Sequence, residues 1–365
     1  MKVEHDGSEA AQGDRDDTAP PVVSCREVVK SFRRAGGRFR PARRSRRGYP
    51  RVLDGVSLRI AAGEIVGLVG ESGSGKTTLG KAMLKLLPID AGTICLEGRD
   101  ITAMKEAQLR PLRRHYQMIF QNPHASLNPG MKVIDAVMET ATLHLGLRGR
   151  QGYDRAMAML EKVRLTHRAH AWPSELSGGE KRRVGLARVF MLDPRFVVAD
   201  EPTAGLDASL KAGIVRLMLE LKHARMSYLL ISHDLSLVRY VSDRIDVMFR
   251  GTIVESIERG AFDEGSEHHP YTQRLLASQS SADDSGDGSA RGFALERLSL
   301  PKGEGCCYYA HCIRAHRLGK KADICRKAPP PFESVAGGRI ACHFVTKGES
   351  SSACPVHVHP SKGVR

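Results

Sequence analysis

The chain is predicted to fold as an α/β protein built on a mainly parallel sheet. Three observations point there. The short apolar runs IVGLV (65–69), FVVAD (196–200) and YLLIS (228–232) suit strands buried on both faces. Each run ends at or just before polar residues: Glu71-Ser72, Asp200-Glu201 and Ser232-His233-Asp234. Ligands of open α/β sheets bind outside the carboxyl ends of the strands, so three strands would deliver polar groups to one edge. The first run also leads through a glycine-rich loop into TTLGKAMLKLL, whose apolar residues have helical spacing.

The elements follow in order along the 365 residues. Residues 1–20 read as a disordered segment. VVSCREVVKSF is strand-like, and the arginine run from Arg33 to Arg51 is broken by glycine and proline, as a solvated loop would be. VLDGVSLRI alternates like a strand and precedes IVGLV. Residues 104–190 read as mostly helical, with VIDAVMETATLHL and YDRAMAMLEKVRL as examples, and 122–190 as a helical subdomain. The main domain is expected over 21–278, followed by a linker at 279–300 that includes SSADDSGDGSARG. A cysteine-containing extension over 301–348 and a flexible tail over 349–365 complete the chain.

Composition sets limits without choosing a partner. The net charge of +15 is compatible with nucleic acid, anionic lipid or acidic ligands. No apolar run approaches the roughly 20 residues that cross a bilayer. The polar start MKVEHDGSEAAQGDRDD lacks the apolar core of a secretory signal. A reducing cytoplasmic setting is therefore expected. Five of the eight cysteines fall between Cys306 and Cys342, which suits a metal or cluster site better than a disulfide framework.

The strongest local signal is Gly70-Glu71-Ser72-Gly73-Ser74-Gly75-Lys76-Thr77, with Thr78 next, between a strand and a helix. This is the pattern of a phosphate loop and marks a P-loop NTPase core. Its glycines let backbone N–H groups turn around phosphate oxygens, and the helix start adds positive potential. Lys76 is placed to reach the β/γ-phosphates of ATP, and Thr77 to offer its hydroxyl to Mg²⁺. Asp200 ends a strand and can hold the Mg²⁺ shell. Glu201 is one residue beyond, where it can polarise an attacking water. His233 can hydrogen-bond a γ-phosphate, and Gln121 in FQNP can sense Mg²⁺ and water. Alone, each of these four is an ordinary polar residue at a strand end or loop.

A second small-residue helix start, LSGGEKRR (176–183), raises the question of why one nucleotide would need two cradles. The order phosphate loop, Gln121, LSGGE, FVVADEPTAGLD and ISHD resembles the ATP-binding subunits of ABC transporters over residues 22–277. In that family two ATPase domains dimerise head to tail, so the two cradles would serve different ATP molecules. The resemblance implies that Ser177, Gly178 and Gly179 face the nucleotide of the partner. It places Asp207 in the loop that communicates with the opposite site, and Phe32 where an aromatic stacks on adenine. Tyr49, beyond the arginine run, is the lesser alternative. A capped helix, with Ser177 as N-cap and Glu180 at the third position, can hold at the same time. Two departures stand out: Glu180 where the family usually has glutamine, and Ala204 where it usually has serine.

QMIFQNPHASLNP (117–129) and HPYTQRLLAS (269–278) resemble the oligopeptide/dipeptide importer branch, which includes nickel importers, and within it the second, F-type ATPase subunit. The resemblance implies a second ATPase subunit, two integral-membrane permeases and, indirectly, an extracytoplasmic solute-binding protein. It places the chain at the cytoplasmic face of the inner membrane, peripherally, with no specific nucleic acid expected. Many members carry four cysteines that bind a [4Fe–4S] cluster. Here Cys306, Cys312, Cys325 and Cys342 resemble that set, with a longer interval before Cys325 and an extra Cys307. Zinc or unligated thiols are the rival readings. The leading function is an ATP hydrolase powering import of peptides or related solutes. The alternatives are a soluble ATPase acting on ribosome or DNA and a regulatory subunit that binds nucleotide without turnover. Against the last stand the intact Glu201 and His233.

Overall fold

The computed structural model describes residues 20–32, 51–121, 127–263, 266–284 and 305–345. The expected N-terminal segment, Tyr49 with nearly all of the arginine run, most of the linker and the tail lie outside the described residues.

The chain opens with β1 (Val23–Ser31), β2 (Arg51–Ile60) and β3 (Ile65–Val69), then α1 (Lys76–Met83), β4 (Ala91–Leu96) and β5 (Arg99–Asp100). There follow α2 (Glu106–Leu109), β6 (Tyr116–Ile119), α3 (Val133–Leu145), α4 (Gly149–Lys162) and α5 (Gly178–Phe190). The second half of the domain runs β7 (Phe196–Asp200), α6 (Ala208–Leu221), β8 (Ser227–Ile231), α7 (Leu235–Val241), β9 (Arg244–Phe249), β10 (Thr252–Glu258) and α8 (Pro270–Asp284). The extension adds α9 (Ile313–Leu318), α10 (Asp323–Lys327), β11 (Phe332–Val335) and β12 (Gly338–Ala341).

Two sheets result. The smaller is antiparallel in the order β2-β1-β4-β5, and the larger is β11-β12-β10-β9-β3-β8-β7-β6. From β9 to β6 every pairing is parallel. All five residues of β3, β7 and β8 are buried, as the apolar runs predict. Their alternation divides two cores. Ile65, Val69, Val197 and Ala199 join the core shared with α3 to α6. Val66, Leu68, Phe196 and Val198 join the core under α1 and the smaller sheet.

Two sequence expectations are corrected. The mostly helical span 104–190 contains the strand β6, which pairs in parallel with β7 from Tyr116↔Phe196 to Ile119↔Ala199. Four residues are too few for periodicity to reveal, and β7 supplies the partner. The linker expected from residue 279 starts later, because α8 continues to Asp284. No glycine or proline interrupts that stretch before Gly286. In the extension, β12 pairs antiparallel with β10, Glu255 opposite Ile340, and so belongs to the main sheet.

Candidate functional site

The phosphate loop connects β3 to α1 and is held by its own backbone requirements. Gly70 has φ 146° and Gly75 φ 110°, both disfavoured for residues with a Cβ. A Cβ on Gly70 would run into the Met248 carbonyl, and one on Gly75 would come within 2.8 Å of the Val52 carbonyl. Gly251 N–H donates to the Ser74 carbonyl at 2.7 Å, pinning the loop to the β9–β10 turn.

Lys76 opens α1 and is buried. Its Nζ donates to the carbonyls of Gly70 (2.7 Å) and Glu71 (2.9 Å) and reaches Ser74 Oγ at 3.5 Å. Burial lowers its pKa, while the carboxylates of Glu201, Asp200 and Glu71 oppose that shift. Thr77 Oγ1 donates to Asp200 Oδ1 at 2.9 Å, joining α1 to the end of β7. Asp200 is almost fully buried. That burial raises its pKa, the Thr77 bond counteracts it, and Glu201 adds to the rise.

Glu201 leaves β7 with φ 49°, in the left-handed region where a residue other than glycine is strained. Its N–H is held by the Ile231 carbonyl at 2.9 Å. Its carboxylate meets His233 Nδ1, 2.9 Å from Oε1 and 2.8 Å from Oε2. The His233 side chain is 67% exposed against 13% for Glu201, so a histidine facing solvent steadies a carboxylate that is mostly covered. Lys76, Thr77, Asp200, Glu201 and His233 therefore gather at the carboxyl ends of β3, β7 and β8. Their hard oxygen donors, the Thr77 hydroxyl and the Asp200 carboxylate, fit Mg²⁺.

The other candidates are placed elsewhere. Gln121 is exposed just beyond β6, next to residues 122–126, which lie outside the described residues. Phe32 is 42% exposed at the end of β1, with Lys30 Nζ 5.6 Å from its ring centre. Ser177 caps α5 with the expected capping box: Glu180 N–H donates to Ser177 Oγ (3.2 Å) and Ser177 N–H to Glu180 Oε2 (2.8 Å). The remaining oxygen of Glu180 meets Arg168 Nε at 3.1 Å. These bonds hold Glu180 below its ordinary pKa, the Ser177 N–H most of all. A Cβ on Gly178 would meet nothing, so that face of the helix start is open. Asp207 caps α6, accepting from Leu210 N–H at 2.9 Å and Ser209 Oγ at 2.8 Å.

Sequence reasoning missed two supports. Arg182, buried in α5, donates to the carbonyls of Pro202 and Ala204 and so ties the second cradle's helix to the loop after Glu201. Tyr271 Oη accepts from Glu71 N–H at 2.8 Å, although 200 residues separate them. HPYTQRLLAS was the available signal, but as a family mark it says nothing of a contact.

In the extension, Cys306, Cys312, Cys325 and Cys342 line one cavity with His269, Tyr308 and Arg314. Ala315 N–H donates to Cys312 Sγ at 3.4 Å, and Arg314 Nη1 lies 4.0 Å from Cys342 Sγ. Cys307 hydrogen-bonds Cys306, lowering the Cys306 pKa and raising its own. Among the described residues, no three His, Cys, Asp or Glu side chains are gathered so as to hold a metal ion. The thiols share a cavity without forming such a group, and the expected iron–sulfur set is not supported as a preformed site.

The family model described as ABC transporter matches residues 53–204. The oligopeptide transport ATP-binding protein OppF of Streptococcus mutans is 46% identical over 233 residues, 62% of this chain and 74% of its own. A putative peptide import ATP-binding protein of Brucella abortus is 38% identical over 90% of this chain and 96% of its own. The oligopeptide transport ATP-binding protein AppF of Bacillus subtilis is 35% identical over 88% and 97%. Among solved structures, a nucleotide-free ATP-binding cassette from an ABC transporter superposes with TM-score 0.53 at 27% identity, covering 65% of this chain and 91% of its own. A dimeric cassette bound to ADP and phosphate shares the fold, with TM-score 0.57 at 24% identity over 65% and 98%.

Proposed function

The chain belongs to the ABC transporter ATP-binding family, and on that premise we propose that it is the ATP-hydrolysing subunit of an importer for oligopeptides, dipeptides or related small solutes. One observation carries the reading. Glu201 and His233 meet beside the Thr77–Asp200 pair, in a chain similar over nine-tenths of its length to a peptide import ATP-binding protein.

The chemistry is attack of water on the γ-phosphorus of ATP, which forms one P–O bond, breaks the bond to the β,γ-bridging oxygen and releases ADP and phosphate. Loop N–H groups and Lys76 bind the phosphates, and Lys76 exchanges its loop carbonyls for phosphate oxygens as it does so. Thr77 and Asp200 would hold Mg²⁺, with Gln121 as a further contact, and the bound ion neutralises phosphate charge. Glu201 orients the attacking water and takes a proton from it as the new P–O bond forms, while His233, with a proton on both ring nitrogens, donates Nδ1–H to that carboxylate and Nε2–H to a phosphate oxygen. Phe32 stacks on adenine. The open face at Ser177–Gly179 serves the nucleotide of a partner ATPase in a head-to-tail dimer, with Asp207 in the loop between the sites. ATP binding closes that dimer and moves the permeases, and hydrolysis reopens it.

The partners in this reading are a second ATPase subunit, two permeases and an external solute-binding protein, with the chain peripheral to the inner membrane. No helix among the described residues is long and apolar enough to cross a membrane. The ribosome or DNA alternative finds no support among the relatives, whose names concern peptide transport. A [4Fe–4S] cluster at Cys306, Cys312, Cys325 and Cys342 remains part of the proposal, supported by their shared cavity alone. Anaerobic purification with absorbance and iron assays tests it, and a colourless, iron-free protein counts against it.

The first test of function is to tag the chain in its own host, solubilise membranes gently and identify what copurifies. A second ATPase with two polytopic chains is the expected result. Recovery from the cytosol with ribosomes or DNA would overturn the importer reading.

A further inference from the structure

We propose that Tyr271 is a positioning residue of the phosphate loop, and that its packing on Tyr308 makes nucleotide binding depend on the state of the cysteine cavity. This rests on the ATP-binding reading above.

The Glu71 N–H that donates to Tyr271 Oη at 2.8 Å and the Gly70 carbonyl belong to one planar peptide group. That carbonyl accepts from Lys76 Nζ at 2.7 Å. One peptide is thus gripped on one side by the lysine expected to bind phosphate and on the other by Tyr271. With Gly70 at φ 146°, no side chain restrains the peptide's orientation, and its hydrogen bonds set it. Tilting it moves the resting partner of Lys76.

Tyr271 is fully buried, its ring 4.6 Å from that of Phe249 and 5.5 Å from that of Tyr308. Tyr308 closes the triangle edge-on to Phe249 at 5.1 Å and lies 5.5 Å from the ring of His269. Tyr308 also lines the cavity with the four thiols and follows Cys306 by two residues. Cys306 N–H is itself bonded to the Cys325 carbonyl at 2.7 Å. A change at these thiols, whether ligation, oxidation or alkylation, bears on Tyr308, then on Tyr271, then on the Gly70–Glu71 peptide. Close packing transmits such displacements, and the coupling is reciprocal: nucleotide must alter the cavity as the cavity alters nucleotide binding.

A purely structural Tyr271 would be served by phenylalanine, which keeps the ring and loses only the acceptor. The test uses the full chain. Tyr271→Phe is expected to weaken binding of a fluorescent ATP analogue with Mg²⁺ by roughly 2- to 10-fold, the range for one hydrogen bond. In the assembled complex, KM for ATP rises by a similar factor while kcat stays within about twofold. In the second arm, iodoacetamide labelling of Cys306, Cys307, Cys312, Cys325 and Cys342 is timed by peptide mass spectrometry, with and without MgATP. The unmutated chain is expected to change its rate at least about twofold on nucleotide binding, and Tyr271→Phe and Tyr308→Leu to lose that response. Wild-type affinity in Tyr271→Phe, or labelling indifferent to nucleotide in the unmutated chain, overturns the proposal. The labelling arm on the unmutated chain decides the matter even if a variant fails to fold. An unmutated chain that binds no ATP sinks the functional reading itself, whereas failure of the coupling alone leaves that reading standing.

Discussion

Arg168 Nε lies 3.1 Å from Glu180 Oε1, while the other carboxylate oxygen accepts the Ser177 N–H at 2.8 Å. The carboxylate at the start of α5 is thus paired on both oxygens. An unpaired anion there would oppose a nucleotide phosphate approaching Gly178. Arg168→Ala is expected to weaken ATP-dependent dimerisation with the partner ATPase, measured by sedimentation at several ATP concentrations. Adding Glu180→Gln to that variant should restore it. If Arg168→Ala dimerises normally, the pairing has no bearing on the second cradle.

Glu201→Gln keeps the size of the side chain and removes its basicity. Hydrolysis by the assembled complex should fall by roughly 100-fold or more, the scale of a lost general base, with ATP binding retained. His233→Ala should reduce turnover less, because it removes the support of Glu201 and not the carboxylate. Phosphate release under saturating ATP measures both, and an unaltered rate in Glu201→Gln excludes the assigned role.

Arg182 is charged, buried and bonded to two carbonyls of the loop between Glu201 and Asp207. Arg182→Ala leaves those acceptors without their donor. A stability loss of about 1.5–3 kcal/mol is expected, the range for hydrogen bonds to charged groups. Urea unfolding measures it, and turnover should fall as the loop after Glu201 loosens.

His268 and Glu255 form a buried pair, Nδ1 to Oε1 at 2.5 Å, with His268 Nε2 2.6 Å from the Asp263 carbonyl. Burial disfavours the imidazolium, but the hydrogen bond and charge of Glu255 outweigh it, and the His268 pKa is raised. Because the folded value exceeds the unfolded one, the stabilisation is complete below about pH 6.5 and is lost as pH rises through the folded value. Melting temperature should therefore decline on the alkaline side more steeply than in His268→Gln. Parallel profiles would show that the pair does not titrate with folding.

The strands β3, β7 and β8 were legible because each is an apolar run too short for a helix and closed by polar residues. Lys76 and Thr77 could be assigned from the phosphate-loop spacing, whereas Asp200, Glu201 and His233 took their roles only from that loop and the order of the other motifs; the structure gathers all five. The strands β6, β11 and β12 were not legible. Each has four residues, and each is stabilised by a partner strand that its own pattern does not announce. The contacts of Glu71 with Tyr271 and of Arg182 with Pro202 join a side chain to a distant backbone atom. No periodicity encodes such a pair. The cysteine set was visible as a spacing, but spacing does not report whether thiols converge.

The pairing of β12 with β10 alters what it would mean to shorten this chain. Without the extension, β10 would become the sheet's boundary, with Glu255, Ser256 and Ile257 deprived of their partners Ile340, Arg339 and Gly338. An open ladder of that kind is a template for another polypeptide. A fragment ending after α8 would therefore be prone to stick to its own copies, and its failure to stay monodisperse would say nothing about whether the cysteines take part in the chemistry.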